Sequence, residues 1–239
     1  MELVAFSMQP CNLCRTISCM APPLTSNSFR SAVVSPTFLS DLSQRSVRLS
    51  TFSDADSSSI LSWITSDREL LWLAPGTPPP VTPRKIIDWG RERHQRLLFW
   101  EETASSPIGY AELNEMPSRA DQRWIGHFIL NPACRGRGLG FRFAEALLAR
   151  AFVELSATDV LLVVFPDNAA AIKCYERAGL VALGKERKHF ETTGFDHVFL
   201  RMGIHVARYR RLVQTGSLNG TPVPFGPSLE ASAQSSRIV

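Results

Sequence analysis

The order of hydrophobic periods along the chain predicts a mixed α/β layer structure over residues 46–203. Three observations carry it. Short alternating apolar runs recur through the stretch, an amphipathic helix from Leu139 to Leu155 presents one face for burial, and breaker-rich segments separate these elements. Val47-Arg-Leu-Ser-Thr-Phe52 alternates with a strand period, and Ser53-Asp-Ala-Asp56 then offers an N-cap to a helix carrying Ile60, Leu61 and Ile64. Pro75 to Pro83 is a loop, and Thr82-Pro83 opens a second helix running towards Arg93. Leu97 to Glu101 and Ile108 to Leu113 form a hairpin about Ser105-Ser-Pro107, and Trp124 to Leu130 follows as a third antiparallel strand. Beyond the long helix come an unbroken apolar strand, Val160 to Phe165, and a helix from Asn168 to Ala178 stopped by Gly179. Two strands, around Val181 to Phe190 and Phe195 to Met202, complete the order.

Composition limits what such a fold can be for. With 44% hydrophobic and 20% charged residues among 239, the chain has material for a core and is not disordered throughout. No run approaches the roughly 18 apolar residues of a spanning helix, which predicts no membrane partner. The net charge of +4 lies in the ends: residues 1–45 carry +1, residues 204–239 carry +3 through Arg208, Arg210, Arg211 and Arg237 against Glu230, and the middle is balanced. A balanced middle argues against a nucleic-acid partner. Residues 1–45 read as a disordered leader, 46–203 as the functional domain, and 204–239 as a mobile basic tail. Met1-Glu2-Leu3 offers no secretory n-region, and five cysteines, three in the leader, form no disulfide framework, so the expected compartment is the cytoplasm. Cys11 and Cys14 have metal-ligand spacing but no further ligands nearby, and no metal is expected.

Chemistry concentrates in two places. Arg135-Gly-Arg-Gly-Leu-Gly140 lies between the strand ending before Pro132 and the amphipathic helix. Its glycines (Gly136, Gly138, Gly140) permit a tight turn, so successive N–H groups up to Leu139 and the positive helix end can face one anion, with Arg135 and Arg137 adding charge. A pyrophosphate suits such a loop. The dinucleotide-binding fingerprint belongs instead after the first strand of a parallel βαβ unit, whereas this loop follows an antiparallel meander. In the second place, Asn168, Ala171 and Tyr175 are spaced i, i+3 and i+7 on one helix face, the small residue leaving room for a ligand. Read alone, Asn168 is an N-cap and Tyr175 a packed aromatic.

With both in this order, residues 46–203 resemble the GNAT superfamily of acetyl-CoA-dependent N-acetyltransferases. That family's Arg/Gln-x-x-Gly-x-Gly/Ala loop matches Arg135, Gly138 and Gly140, and its Asn-x-x-Ala-x-x-x-Tyr-x-x-x-Gly-Phe helix matches Asn168, Ala171, Tyr175 and Gly179, with Leu180 in place of Phe. The segment Val47 to Ile64 also resembles the ribosomal-protein N-acetyltransferase branch. The resemblance implies a mostly antiparallel sheet of six to seven strands flanked by about four helices, with acetyl-CoA as co-substrate. It implies transfer of an acetyl group to a primary amine of a small molecule or a protein N-terminus, and it admits a homodimer. Tyr175 becomes the acid for the CoA sulfur, N–H groups near Leu130 hold the thioester carbonyl, and pantetheine follows Phe128 to Asn131 and Asn168. For the general base two residues stand open, beside capture of the neutral fraction of the amine without any base. Glu112 is a carboxylate in a central strand with apolar neighbours, and His127 lies between Gly126 and Phe128 and would act through a water. Relatives carry a glutamate where Trp124 stands here. The competing reading is a member of the same fold that binds acyl-CoA without transfer, as a sensor or partner module.

Overall fold

The computed structural model describes residues 47–89, 94–102, 104–117 and 119–226; the expected leader and the chain beyond residue 226 lie outside these. Strand β1 (Val47–Thr51) leads through a 3-10 turn into α1 (Ser57–Ser62). The expected cap is in place: the Ser53 N–H and hydroxyl both donate to Asp56 Oδ2 at 2.7 Å. Helices α2 (Asp67–Leu73) and α3 (Pro83–Asp88) follow, the latter capped by Thr82 with Pro83 in its first turn. It stops at Trp89, short of Arg93, where the backbone turns extended.

Strands β2 (His94–Glu101), β3 (Gly109–Met116) and β4 (Arg119–Leu130) form an antiparallel meander. Then come α4 (Leu139–Ala149, extended by a π turn to Glu154), β5 (Asp159–Val164), α5 (Ala169–Arg177), β6 (Val181–Phe190), β7 (Phe195–His205), α6 (Val206–Gln214) and the two-residue β8 (Phe225–Gly226).

The sheet runs β6-β7-β5-β4-β3-β2-β1-β8. It has eight strands where six to seven were expected, and six helices are described where about four were. The additions are α2, α6 and β8. All pairs are antiparallel except β4–β5 and β1–β8. One face is closed by α4, α5 and α6 over Phe99, Leu113, Leu162 and Met202, and the other by α1 to α3 over Leu98, Trp100, Tyr110 and Ile129.

The tail boundary expected at residue 204 moves. Ile204 is buried within β7, α6 buries Tyr209 against Phe152 with ring centroids 4.7 Å apart, and Leu218 is buried beyond the helix. The Leu49 N–H donates to the Pro224 carbonyl at 2.8 Å, and Leu49 pairs Phe225. Residues up to 226 thus form part of the fold. Val206, Tyr209 and Val213 recur at helical spacing on the buried face of α6, but the run is short and arginine-rich, and beyond it breaker-rich composition conceals a segment held by scattered contacts.

Candidate active site

Strand β4 determines where the site lies. It pairs β5 in parallel only from Gln122 to Trp124, opposite Asp159 to Leu161. From Ile125 to Leu130 it stays on β3 while β5 continues to Val164 beside β7. The two central strands therefore part, and main-chain groups of β4 lose their neighbour on that edge. The Asn131 N–H donates to Ile108 on the β3 side, so the strand's alternation turns the Leu130 N–H towards the gap.

The expected anion loop sits at the end of this gap. Gly136 and Gly138 adopt positive φ of 76° and 77°, and Gly138 is the N-cap of α4. Nothing lies within 4 Å of where a Gly136 side chain would be, so space stands open before the helix N-terminus, where the first N–H groups are unpaired. Leu139 buries its side chain in the core and leaves the loop only its backbone. Gly140 lets α4 approach α5: a Cβ there would meet Cys174 Sγ at 3.3 Å and Leu130 at 3.4 Å.

The two loop arginines differ. Arg135 pairs with Glu69 of α2, and its guanidinium also donates to the carbonyls of Leu130 at 3.1 Å and Trp63 at 3.2 Å. Its side chain therefore fastens α1 and α2 to the loop. Arg137, 3.4 Å from Glu101 and 42% exposed, is the arginine that can turn to an anion.

Across the gap, Asn168 caps its own helix by accepting from the Ala171 N–H at 3.2 Å. Tyr175 is buried, with its ring edge-on to Phe128 of β4 at 5.7 Å. Burial, followed by the neighbouring Cys174, raises its phenol well above the ordinary value, so it holds its proton. The Cys174 thiol is itself pushed up to about 11 by burial.

On the α1–α3 face the two candidate bases meet. Glu112 is 2% exposed, and its Oε1 lies 2.8 Å from His127 Nδ1. That nitrogen is buried, and its approach to the carboxylate is a close contact without the geometry of a directed hydrogen bond. Tyr110 donates to Oε1 at 2.9 Å and Asn114 to Oε2 at 3.2 Å. Burial would raise the carboxyl, but the His127 charge and these donors outweigh it and hold it at about 2. His127 takes a positive φ of 42° at a bulge, where β4 has one residue more than β3 between the pairs Tyr110–Ile129 and Glu112–Gly126. Its ring stacks on Trp89 at 4.4 Å with planes 2° apart.

Trp63, Trp89 and Trp100 are core residues, whereas Trp72 donates to Asp167 at 3.0 Å, beside the Arg68–Asp167 pair at 2.7 Å. A groove of about 250 Å³ runs between α2, the 74–79 loop and the β6–β7 turn, walled by Leu70, Leu71, Ala74 and Pro79 with Thr192 and Thr193. The Thr192 hydroxyl closes one end on the Pro75 carbonyl at 2.6 Å.

A sheet parted between its central strands, with a glycine loop and helix N-terminus at one end, defines the acyl-CoA-binding class of α/β fold. Residues 59–180 match the Acetyltransferase (GNAT) family, and the chain belongs to it. An aminoglycoside N(6')-acetyltransferase type 1 of Klebsiella pneumoniae is 31% identical over 88 residues, which cover 33% of this chain and 44% of that protein. The N-alpha-acetyltransferase RimI of Mycobacterium tuberculosis is 32% identical over 97 residues, covering 39% and 58%. The chain thus spans about half the length of these relatives. Among solved structures, spermidine N-acetyltransferase from Vibrio cholerae, in complex with CoA and spermine, superposes with a TM-score of 0.57 at 20% identity, over 69% of this chain and 98% of that one. Aminoglycoside acetyltransferase AAC(6')-Ib with coenzyme A gives 0.56 at 20%, over 70% and 98%. These likenesses establish the fold.

Proposed function

We propose that the protein is an N-acetyltransferase that moves an acetyl group from acetyl-CoA to a primary amine by direct attack. The observation that carries this reading is the parting of β4 from β5 with the Gly136–Gly140 turn at its end and Tyr175 facing Phe128 across it. The open space at Gly136 and the unpaired N–H groups of α4 fit a pyrophosphate, and the gap fits an extended pantetheine arm. Acetyl-CoA supplies an activated acetyl thioester.

The residues divide the remaining work. Loop N–H groups from Gly136 to Gly140 and the exposed Arg137 hold the phosphates, while Arg135 holds the loop in place. The Leu130 N–H faces the thioester oxygen and stabilises charge developing there. Asn168 and Ala171 keep the start of α5 in register along the arm. Tyr175, protonated by its burial, supplies the proton the departing sulfur needs. His127 and Glu112 lie on the face from which an amine would approach.

The groove beside α2 supports an acceptor whose amine is attached to a largely uncharged body, a protein N-terminus or a small monoamine. Its walls are mostly apolar, with Asp67 as the carboxylate of the groove, and Glu69 and Asp167 are already paired with arginines, which leaves few carboxylates for a polycation. The test is release of free CoA thiol from acetyl-CoA across a panel of monoamines, polyamines, aminoglycosides and peptides. Turnover is expected with the first and last classes, and Tyr175→Phe should lower kcat by about 10-fold or more with CoA affinity retained. Tight CoA binding with no turnover across the panel would instead favour a non-catalytic sensor.

A further inference from the structure

His127 and Glu112 read from the sequence as alternative bases, but they occupy one site with unequal access. Glu112 is sealed at 2% exposure, so no amine reaches it. The His127 side chain is 24% exposed, and with Nδ1 buried against Glu112 the nitrogen left for a substrate is Nε2. Two features of the backbone fit this pairing. A non-glycine residue at φ 42° is strained and persists only where its surroundings fix it; here the Trp89 stack and the Glu112 carboxylate do so. Gly126 faces Glu112 across the β3–β4 pair, and a Cβ there would come within 3.3 Å of Oε2 and 3.2 Å of the Asn114 amide. The strand thus gives up a side chain to seat a buried carboxylate behind a histidine.

Resting on the acetyl-transfer reading, we propose that His127 Nε2 is the proton acceptor for the substrate ammonium and that Glu112 is its positioning residue. His127 takes one proton from the ammonium, and the freed nitrogen lone pair forms the C–N bond. As the C–S bond breaks, Tyr175 gives its proton to the sulfur. The nitrogen's second proton leaves through water and restores Tyr175, and His127 then returns its own proton to solvent, one per turnover. Glu112 fixes which ring nitrogen faces the substrate and stabilises the imidazolium. The ionisable groups near the ring are Glu112 and Tyr110 from β3 and, one strand further, Arg96 of β2, which lies 4.0 Å from Asp54 and over the Phe52 ring. From the α3 side the ring meets Trp89, which carries no charge.

The experiment compares parent, His127→Ala, Glu112→Gln and Tyr175→Phe by the pH profile of kcat/KM, CoA affinity and the NMR titration of the His127 ring in the free protein. His127→Ala should lower kcat/KM about 100-fold and abolish the acid limb, with CoA affinity unchanged. Glu112→Gln, which keeps the side chain's shape, should move both the acid limb and the ring titration to lower pH. Tyr175→Phe should leave the acid limb in place. An active parent whose acid limb survives His127→Ala, or whose ring titration ignores Glu112→Gln, overturns this inference alone. A parent inactive on every amine overturns the proton-transfer role together with the proposed function.

Discussion

Glu112 is the residue at which burial and charge are most nearly opposed. A carboxylate so deep stays ionised because Tyr110 and Asn114 donate to it and the His127 ring lies against it, and its carboxyl is held at about 2 against an ordinary 4.5. A group depressed on folding contributes stability above its unfolded value and loses it as pH falls through the folded one. The contribution should therefore be complete above about pH 5 and vanish towards pH 2. Glu112→Gln should cost most in urea unfolding near neutrality and least near pH 2, so the two stability curves converge on acidification; parallel curves would mean the carboxylate is not paired in the native state. Neither this cluster nor its consequence could be read in the chain. Period-2 alternation assigns faces along one strand, but whether Glu112 meets His127 depends on the β3–β4 register, and the bulge at His127 shifts that register by one residue.

Among the elements, α2 joins the two arms of the site. Glu69 reaches Arg135 beyond β4, while Arg68 and Trp72 reach Asp167 beyond β5. The signal of α2 in the sequence is the capping-box pattern Ser66-Asp-Arg-Glu69, of which half is formed: Ser66 accepts from the Glu69 N–H, while Glu69 accepts one residue further back, from the Thr65 N–H. Seven residues beside a proline loop give too short a period to notice. The Gly136–Gly140 turn and the Asn168–Gly179 helix were legible because positive φ and N-capping restrict residue type locally; the partners of Arg135 were not, because they come from 66 and 72 residues away. Three acceptors in different directions need a planar fork, which lysine lacks. Arg135→Lys should thus lower the melting temperature nearly as much as Arg135→Ala, by roughly 1–3 kcal/mol in unfolding free energy. A lysine that restored both stability and CoA affinity would instead mean that Arg135 serves as a phosphate charge.

At the scale of the whole molecule, α6 and its Arg208 are structural. Arg208 donates to the Gly179 carbonyl at 2.8 Å, just past the C-terminus of α5, where a cation also meets the negative end of the helix. With α6 in place, Tyr209 and Leu218 are buried and Leu212 and Val213 partly so, against the same core that Phe143 and Leu147 build from α4. A chain ending at His205 would uncover Phe152 and Leu180. Two large side chains fully buried, with further partial burial, amount to about 5 kcal/mol as an upper figure. In a domain of this size that lowers the melting temperature by about 10–20 °C. Tyr209→Phe separates packing from polarity. The Tyr209 hydroxyl is buried with no hydrogen-bond partner among the described residues, and burial, then Glu145, pushes its phenol up to about 12. Removing that oxygen leaves the ring packed against Phe152 and removes an unmet desolvation cost. Calorimetry should therefore find Tyr209→Phe at or above the parent and the truncation far below it. If the truncation melted with the parent, α6 would be an appendage and the domain would end where its composition first suggested.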